Sequence, residues 1–228
     1  MPGDMLAITL LTLKVGLASL AIGLLPGIGL AWLLAKRRFR GRMVVQTLVT
    51  LPLILPPVAV GLALLLLLGP RGPIGALLHR WLGWEVLFTW QAAAVASSIM
   101  SFPLLVRAAQ HAFSEVPERL EQVAATLGGG SWRVFTTVTL PLARRGIVYG
   151  LVLSFARGLG EFGATNLIAG SIPGRTETLA LGIYGRVQVG DDAGALSLAA
   201  VSVALAFAAT YLSEVYLTAV AGQKAPSA

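Results

Sequence analysis

Long uncharged stretches alternate with short charged ones along this chain. Val15 to Ala35, Met43 to Pro70, Val86 to Val106 and Ala195 to Ser213 contain no Asp, Glu, Lys or Arg. Gly146 to Gly170 contains only Arg157 and Glu161. A helix of about 20 apolar residues crosses a bilayer. The pattern therefore predicts five spans, at about 6–35, 43–69, 86–107, 146–170 and 195–221, in a single domain covering 1–228. The fold class is an all-α polytopic membrane protein. The first span lacks a basic leader and is followed by its basic cluster, so it reads as a retained helix, bent near Pro26-Gly27. Pro52, Pro56 and Pro57 are too many for a straight second helix, and kink the path or simply shape the packing.

The charged stretches orient these spans. Lys36, Arg37, Arg38, Arg40 and Arg42 follow the first span with no acid among them. Arg107, Arg119, Arg133, Arg144, Arg145 and Lys224 fall on the same side of a five-span chain. The opposite side mixes Arg71, Arg80, Arg175 and Arg186 with Asp4, Glu85, Glu177, Asp191 and Asp192. The positive-inside rule places the N-terminus outside and the C-terminus inside. The outer segment 176–190 has apolar residues at Leu179, Ile183 and Val187, and either lies as an ordered loop or re-enters the membrane.

Composition agrees with a bilayer protein. The chain is 56% hydrophobic and 12% charged, with a mean hydropathy of +0.81, against about 25% charged residues in soluble domains. Disorder is excluded by the same figures. The net charge of +7 reads as topology and not as a nucleic-acid surface.

Catalytic chemistry is sparse. There is no Cys, and no Gly-Lys pair to close a phosphate loop. His79 and His111 are not spaced as metal ligands, so no metal site and no cofactor is expected. The chain reads as no enzyme by itself.

The stretch 113–145 is the most informative. Pro117 suits a helix start. Leu120, Val123, Ala124 and Leu127 form one apolar stripe at i, i+3, i+4, i+7, with Glu118, Arg119, Glu121 and Gln122 on the other faces. Gly128 to Gly130 end that helix. Ser131 can cap a second helix carrying Trp132, Arg133 and Phe135, and Leu140-Pro141 closes the unit before span four. Such an element either lies on lipid or docks into a groove of a partner.

The run LEQVAATLGGGSWRVFTTVTLP resembles the coupling loop of permease subunits of binding-protein-dependent ABC importers. That family shows Glu-Ala-Ala, three residues, Gly, nine residues, an aliphatic residue, any residue, then Leu-Pro. Gly128, Val138, Leu140, Pro141 and Ala124 stand at matching positions. Gln122 replaces the usual Glu and Val123 the first Ala. Glu121 stands one place earlier and faces a different way on a helix, which removes the usual ground for an ion pair there. TLPLILPPVAVGLALLLLLG, SSIMSFPLLVRA, LSFARGLGEFGAT and GSIPGRTETLALGIY resemble the molybdate-transport permeases within that family, with tungstate and sulfate or thiosulfate permeases as close alternatives.

The resemblance implies a type I importer permease in the cytoplasmic membrane of a bacterium. It implies a homodimer, cytoplasmic ABC ATPase subunits that bind the ATP, and a periplasmic or extracellular binding protein that delivers the anion. Glu121, Gln122, Ala124, Gly128, Trp132, Arg133, Val138, Leu140 and Pro141 are then the ATPase-coupling loop. For the path or its bracing, the residues singled out are Pro57, Ser101, Pro103, Arg157, Glu161 and Phe162. Arg157 and Glu161, at i, i+4 deep in span four, can pair on one face. That pair either neutralises itself at a helix contact or braces the path. Ser97, Ser98 and Ser101 either join helices or line a passage. An ATP-independent secondary transporter would need inverted repeats and ionisable coupling residues near midplane; no clear repeat is evident, and the one ionisable pair, Arg157 and Glu161, compensates itself. A membrane scaffold would explain the loop but not the broken spans.

Overall fold

A computed structural model of the chain describes residues 2–222. The elements are α1 (Pro2–Lys36), α2 (Arg42–Ile54), α3 (Pro57–Leu68), α4 (Pro73–Leu82), α5 (Trp90–Ser114), α6 (Glu118–Thr126) and α7 (Ser131–Val134). A π-helical turn (Phe135–Thr139) then leads into α8 (Leu140–Leu159), followed by α9 (Gly163–Ala169), α10 (Leu179–Gln188) and α11 (Asp192–Gly222). No strand occurs among the described residues. Among the described residues four helices are long and apolar enough to span a bilayer, and α2 with α3 make a fifth if that bent pair is one crossing.

The geometry favours the bent pair as a crossing. Lys14 lies over the ring of Trp90, 3.9 Å from its centroid, near the start of α5. Lys36 at the end of α1 donates to the Val116 carbonyl just past the end of α5. The two helices therefore run parallel, and the chain between them must cross from one end of the bundle to the other. The α2–α3–α4 stretch makes that crossing.

Its break follows from sequence. A residue before proline is driven out of the α region. Leu55 precedes Pro56, which precedes Pro57, and both Leu55 (φ −69°, ψ 144°) and Pro56 (φ −54°, ψ 131°) are extended. Pro57 then restarts the helix at its first turn, where a missing N–H is harmless. The outcome is a 112° bend, so span 43–69, whose prolines are too many for a straight helix, is two helices. By contrast, α1 is helical without interruption through Pro26 and Gly27.

The centre of the bundle is α5, packed between α1 and α8. Its inward residues are mostly small: Ala92, Ala93, Ala94, Ala96, Ser97, Ser98, Ser101 and Ala109 are all buried. On α8, Gly146 and Gly150 sit four apart against Ala112 and Ala108, also four apart. A Cβ on either glycine would stand 2.5 or 2.8 Å from the alanine methyl. Small residues at this spacing let membrane helices approach closely where hydrophobic burial offers little. Α11 is the loosest spanning helix, with only 11% of its apolar window buried by protein, and it exposes Leu196, Val203, Phe207 and Leu212.

Span four differs from expectation. Leu140-Pro141 does not close a separate unit before span four; helix continues from Ser131 to Leu159. Pro141 has no N–H to give to Thr137, and a regular helix would clash there. The π turn absorbs the misfit, with the Leu140 N–H donating to the Phe135 carbonyl, five residues back. At the other end the helix stops at Leu159, and residues 163–169 form the separate α9. The 176–190 segment is α10, whose Leu179 N–H donates to the buried Thr12 Oγ1 at 2.9 Å. Leu179 packs with Ile8 and Leu198. Lys224, used for the topology expectation, lies outside the described residues.

Candidate coupling element and helix-break site

The helix–glycine–helix element stands at the end of the bundle marked by Lys36. Pro117 is the N-cap of α6 and Glu118 its first residue, one position later than expected. Gly130, not Ser131, caps α7, and no side-chain capping bond is made. Gly128 adopts φ +84°, and a Cβ there would meet nothing within 4 Å. The requirement for glycine is thus backbone handedness and not space. Gly129 N–H donates to the Ala124 carbonyl at 3.1 Å and closes the turn.

The apolar stripe of α6 points outward. The helix contains no buried residue, and Leu120, Val123 and Leu127 are exposed, Leu127 by 84%. Trp132 is 76% exposed and stacks on Phe135 with centroids 5.7 Å apart. Phe135 in turn meets the edge of Trp32 on α1 at 5.9 Å. Gln122 and Arg133 are exposed, Ala124, Val138 and Leu140 half-buried, and Pro141 exposed.

Glu121 makes a pair that the sequence left in doubt. Its Oε2 lies 2.8 Å from Lys36 Nζ, and its Oε1 accepts from Thr139 Oγ1 at 2.5 Å. An ion pair exists here, made from the position before the family's usual Glu and directed to α1 of the same chain. Lys36 and Thr139 were not foreseen as members of this cluster. Position 36 is 85 residues from 121, and no spacing rule links them.

The second constellation lies where two helix breaks meet. Gly163, at the start of α9, would carry a Cβ only 2.7 Å from Pro57 Cβ, at the start of α3. One turn on in α3, a Cβ on Gly61 would stand 2.8 Å from Ala164 Cα. The α2–α3 break and the α8–α9 break therefore abut.

Glu161 occupies the second break. Its side chain is 1% exposed, and its Oε2 lies 2.8 Å from Arg157 Nη1. Its Oε1 accepts from the Ala164 N–H at 3.0 Å. One carboxylate thus joins the last turn of α8 to the first turn of α9 and satisfies an orphan donor there. Arg157 keeps 30% of its side chain exposed. Phe162, between them, packs on Tyr184 of α10 at 4.7 Å.

Ser101 and Pro103 stand apart from this constellation, buried within α5. Ser101 Oγ donates to the Ser97 carbonyl, and the Ser101 carbonyl accepts from Ser154 Oγ of α8. The first bond lies within α5, and only the second joins α5 to α8. No group of three or more His, Cys, Asp or Glu able to hold a metal occurs among the described residues.

Residues 27–219 match the family model described as the binding-protein-dependent transport system inner membrane component. The chain belongs to that family. This permease-family chain is 47% identical over 206 residues, 90% of each chain, to the Escherichia coli (strain K12) molybdenum transport system permease protein ModB. It is 44% identical over 178 residues, 78% of each chain, to ModB of Haemophilus influenzae. In fold it is similar to a chain of the bacterial alginate ABC transporter crystallised with its alginate pentasaccharide-bound periplasmic protein. That match has a TM-score of 0.69 at 22% identity and covers 93% of this chain and 79% of that one. As an inner-membrane component with several apolar spans, it is a multi-pass protein of the cytoplasmic membrane.

Proposed function

We propose that the chain is the permease of an ATP-driven molybdate importer. It acts as a homodimer, with its N-terminus outside and its C-terminus inside. Cytoplasmic ABC subunits bind and hydrolyse the ATP, and an external binding protein delivers the oxyanion. The observation that carries this reading is the exposed α6–Gly128–α7 knob, continuous through the π turn with spanning helix α8. The 47% identity to a molybdenum permease over 90% of both chains supports the anion assignment.

The cycle is alternating access. Closure of the ATPases around ATP draws the two knobs together, and each knob turns the α8 it begins. The far end of α8 is the Arg157–Glu161 joint, and beyond it α9 rests on the α3 break. Rotation of α8 therefore shifts both breaks as a pair, opening the path outward. Hydrolysis reverses the motion. Glu161 braces this joint and does not meet the cargo, because a carboxylate facing a dianion would repel it.

The test is uptake by the chain reconstituted with its ATPase and receptor. Molybdate uptake that requires ATP and receptor, and that tungstate and sulfate inhibit less than unlabelled molybdate does, is the expected result. Preferred uptake of sulfate would reassign the anion, and uptake without ATP would remove the importer assignment.

A further inference from the structure

The coupling element is fastened to α1 through one shared carboxylate. Lys36 Nζ donates to Glu121 Oε2 at 2.8 Å and to the Val116 carbonyl at 2.9 Å. Thr139 Oγ1 donates to the other oxygen of Glu121. This cluster joins four segments: the end of α1, the chain just past α5, the middle of α6 and the end of the π turn. The Lys36 and Glu121 side chains are only 12% and 19% exposed, so salt screens the pair less than a surface pair. One turn back on α1, Trp32 meets Phe135 of the π turn edge-on.

We propose that Lys36 is a positioning residue that makes α6 and the cytoplasmic end of α1 one rigid body, so that α1 is a second lever beside α8. Packing alone does not hold α6, which has no buried residue. The Lys36–Glu121–Thr139 cluster supplies the polar attachment. A push received on the outer face of α6 then passes to α1 through Glu121. Α1 extends to the opposite end of the bundle, where Thr12 accepts from the Leu179 N–H of α10. A lever through α1 therefore moves α10, an element that α8 reaches through the ring contact of Phe162 with Tyr184.

This inference rests on the reading that α6–α7 receives an ATPase stroke, and the experiment separates the two. The chain has no native Cys, so Lys36→Cys/Glu121→Cys supplies its only thiols. The whole importer, with ATPase and receptor, is assayed in proteoliposomes before and after bridging the pair with a reducible bis-thiosulfonate linker. Anion taken up per ATP hydrolysed is expected to fall at least about fivefold in the unbridged variant. Bridging should restore the wild-type ratio, and reduction should lower it again. The single change Lys36→Met should lower the ratio alike, while Lys36→Arg should keep it. An unchanged ratio in both Lys36→Met and the unbridged pair overturns the proposal, as does loss of uptake on bridging, which would mean that the cluster must open. Wild-type protein that neither binds the ATPase nor couples to it would instead overturn the functional reading.

Discussion

Gly163 of α9 lies against Pro57 of α3 so closely that a Cβ on the glycine would stand 2.7 Å from the proline Cβ, and 3.4 Å from the Val58 nitrogen. Both neighbours are stiff, one a ring and one a backbone atom, so neither can turn aside. Gly163→Ala is expected to separate the two helix breaks at a cost of about 1–3 kcal/mol. Gly158→Ala is the control, since a Cβ there would meet nothing nearer than Ser19 Oγ at 3.5 Å. Thermal unfolding of the purified protein and reconstituted uptake should both fall for the first and stay near wild type for the second.

The joint at Glu161 predicts an energetic coupling. Arg157→Ala and Glu161→Ala should each destabilise the protein, the latter more, because it also frees the Ala164 N–H. Hydrogen bonds to charged groups contribute about 1.5–3 kcal/mol, and the partial exposure of Arg157 argues for the lower end. The double variant should be less damaged than the sum of the singles by about 1 kcal/mol. Additive effects on unfolding and on uptake would remove the pair from the joint.

Much of this architecture was legible in one dimension. Long uncharged runs marked the membrane segments, and the apolar stripe followed by Gly128 to Gly130 marked the helix–glycine–helix element. What the sequence hid came from competition between local signals and packing. Leu140-Pro141 reads as a stop, but one π turn lets the helix pass through it. Pro56-Pro57 reads as a kink, but the close seating of α3 on α9 at Gly61 and Gly163 is a tertiary contact that no local pattern encodes. The Lys36–Glu121 pair depends on α1 and α5 running parallel, which no local pattern encodes.

Gly128 predicts a difference between glycines two residues apart. At φ +84° a side chain costs about 1–2 kcal/mol, whereas Gly130 at φ −65° accepts one readily. Gly128→Ala should therefore loosen the α6–α7 turn and lower uptake per ATP hydrolysed, with Gly128→Asn less harmful because Asn tolerates the left-handed region. Gly130→Ala should leave the ratio unchanged. Equal effects at both positions would show that backbone handedness is not what the turn requires.

Trp132 separates folding from partner binding. Its side chain is largely exposed, and its main described contact is the stack on Phe135. Surface changes of this kind shift stability by no more than about 0.5 kcal/mol. An exposed Trp on the element that also exposes Leu127 and Val123 is the kind of anchor that dominates an interface, where truncation costs about 2 kcal/mol or more, roughly 30-fold in affinity. Trp132→Ala should therefore unfold at the wild-type temperature yet lose the ATPase during purification of the complex. Trp132→Phe should keep part of that affinity by preserving an aromatic ring above Phe135. Retention of the ATPase at wild-type affinity by Trp132→Ala would place the docking surface on α6 alone, with Leu120, Val123 and Leu127 as its contacts.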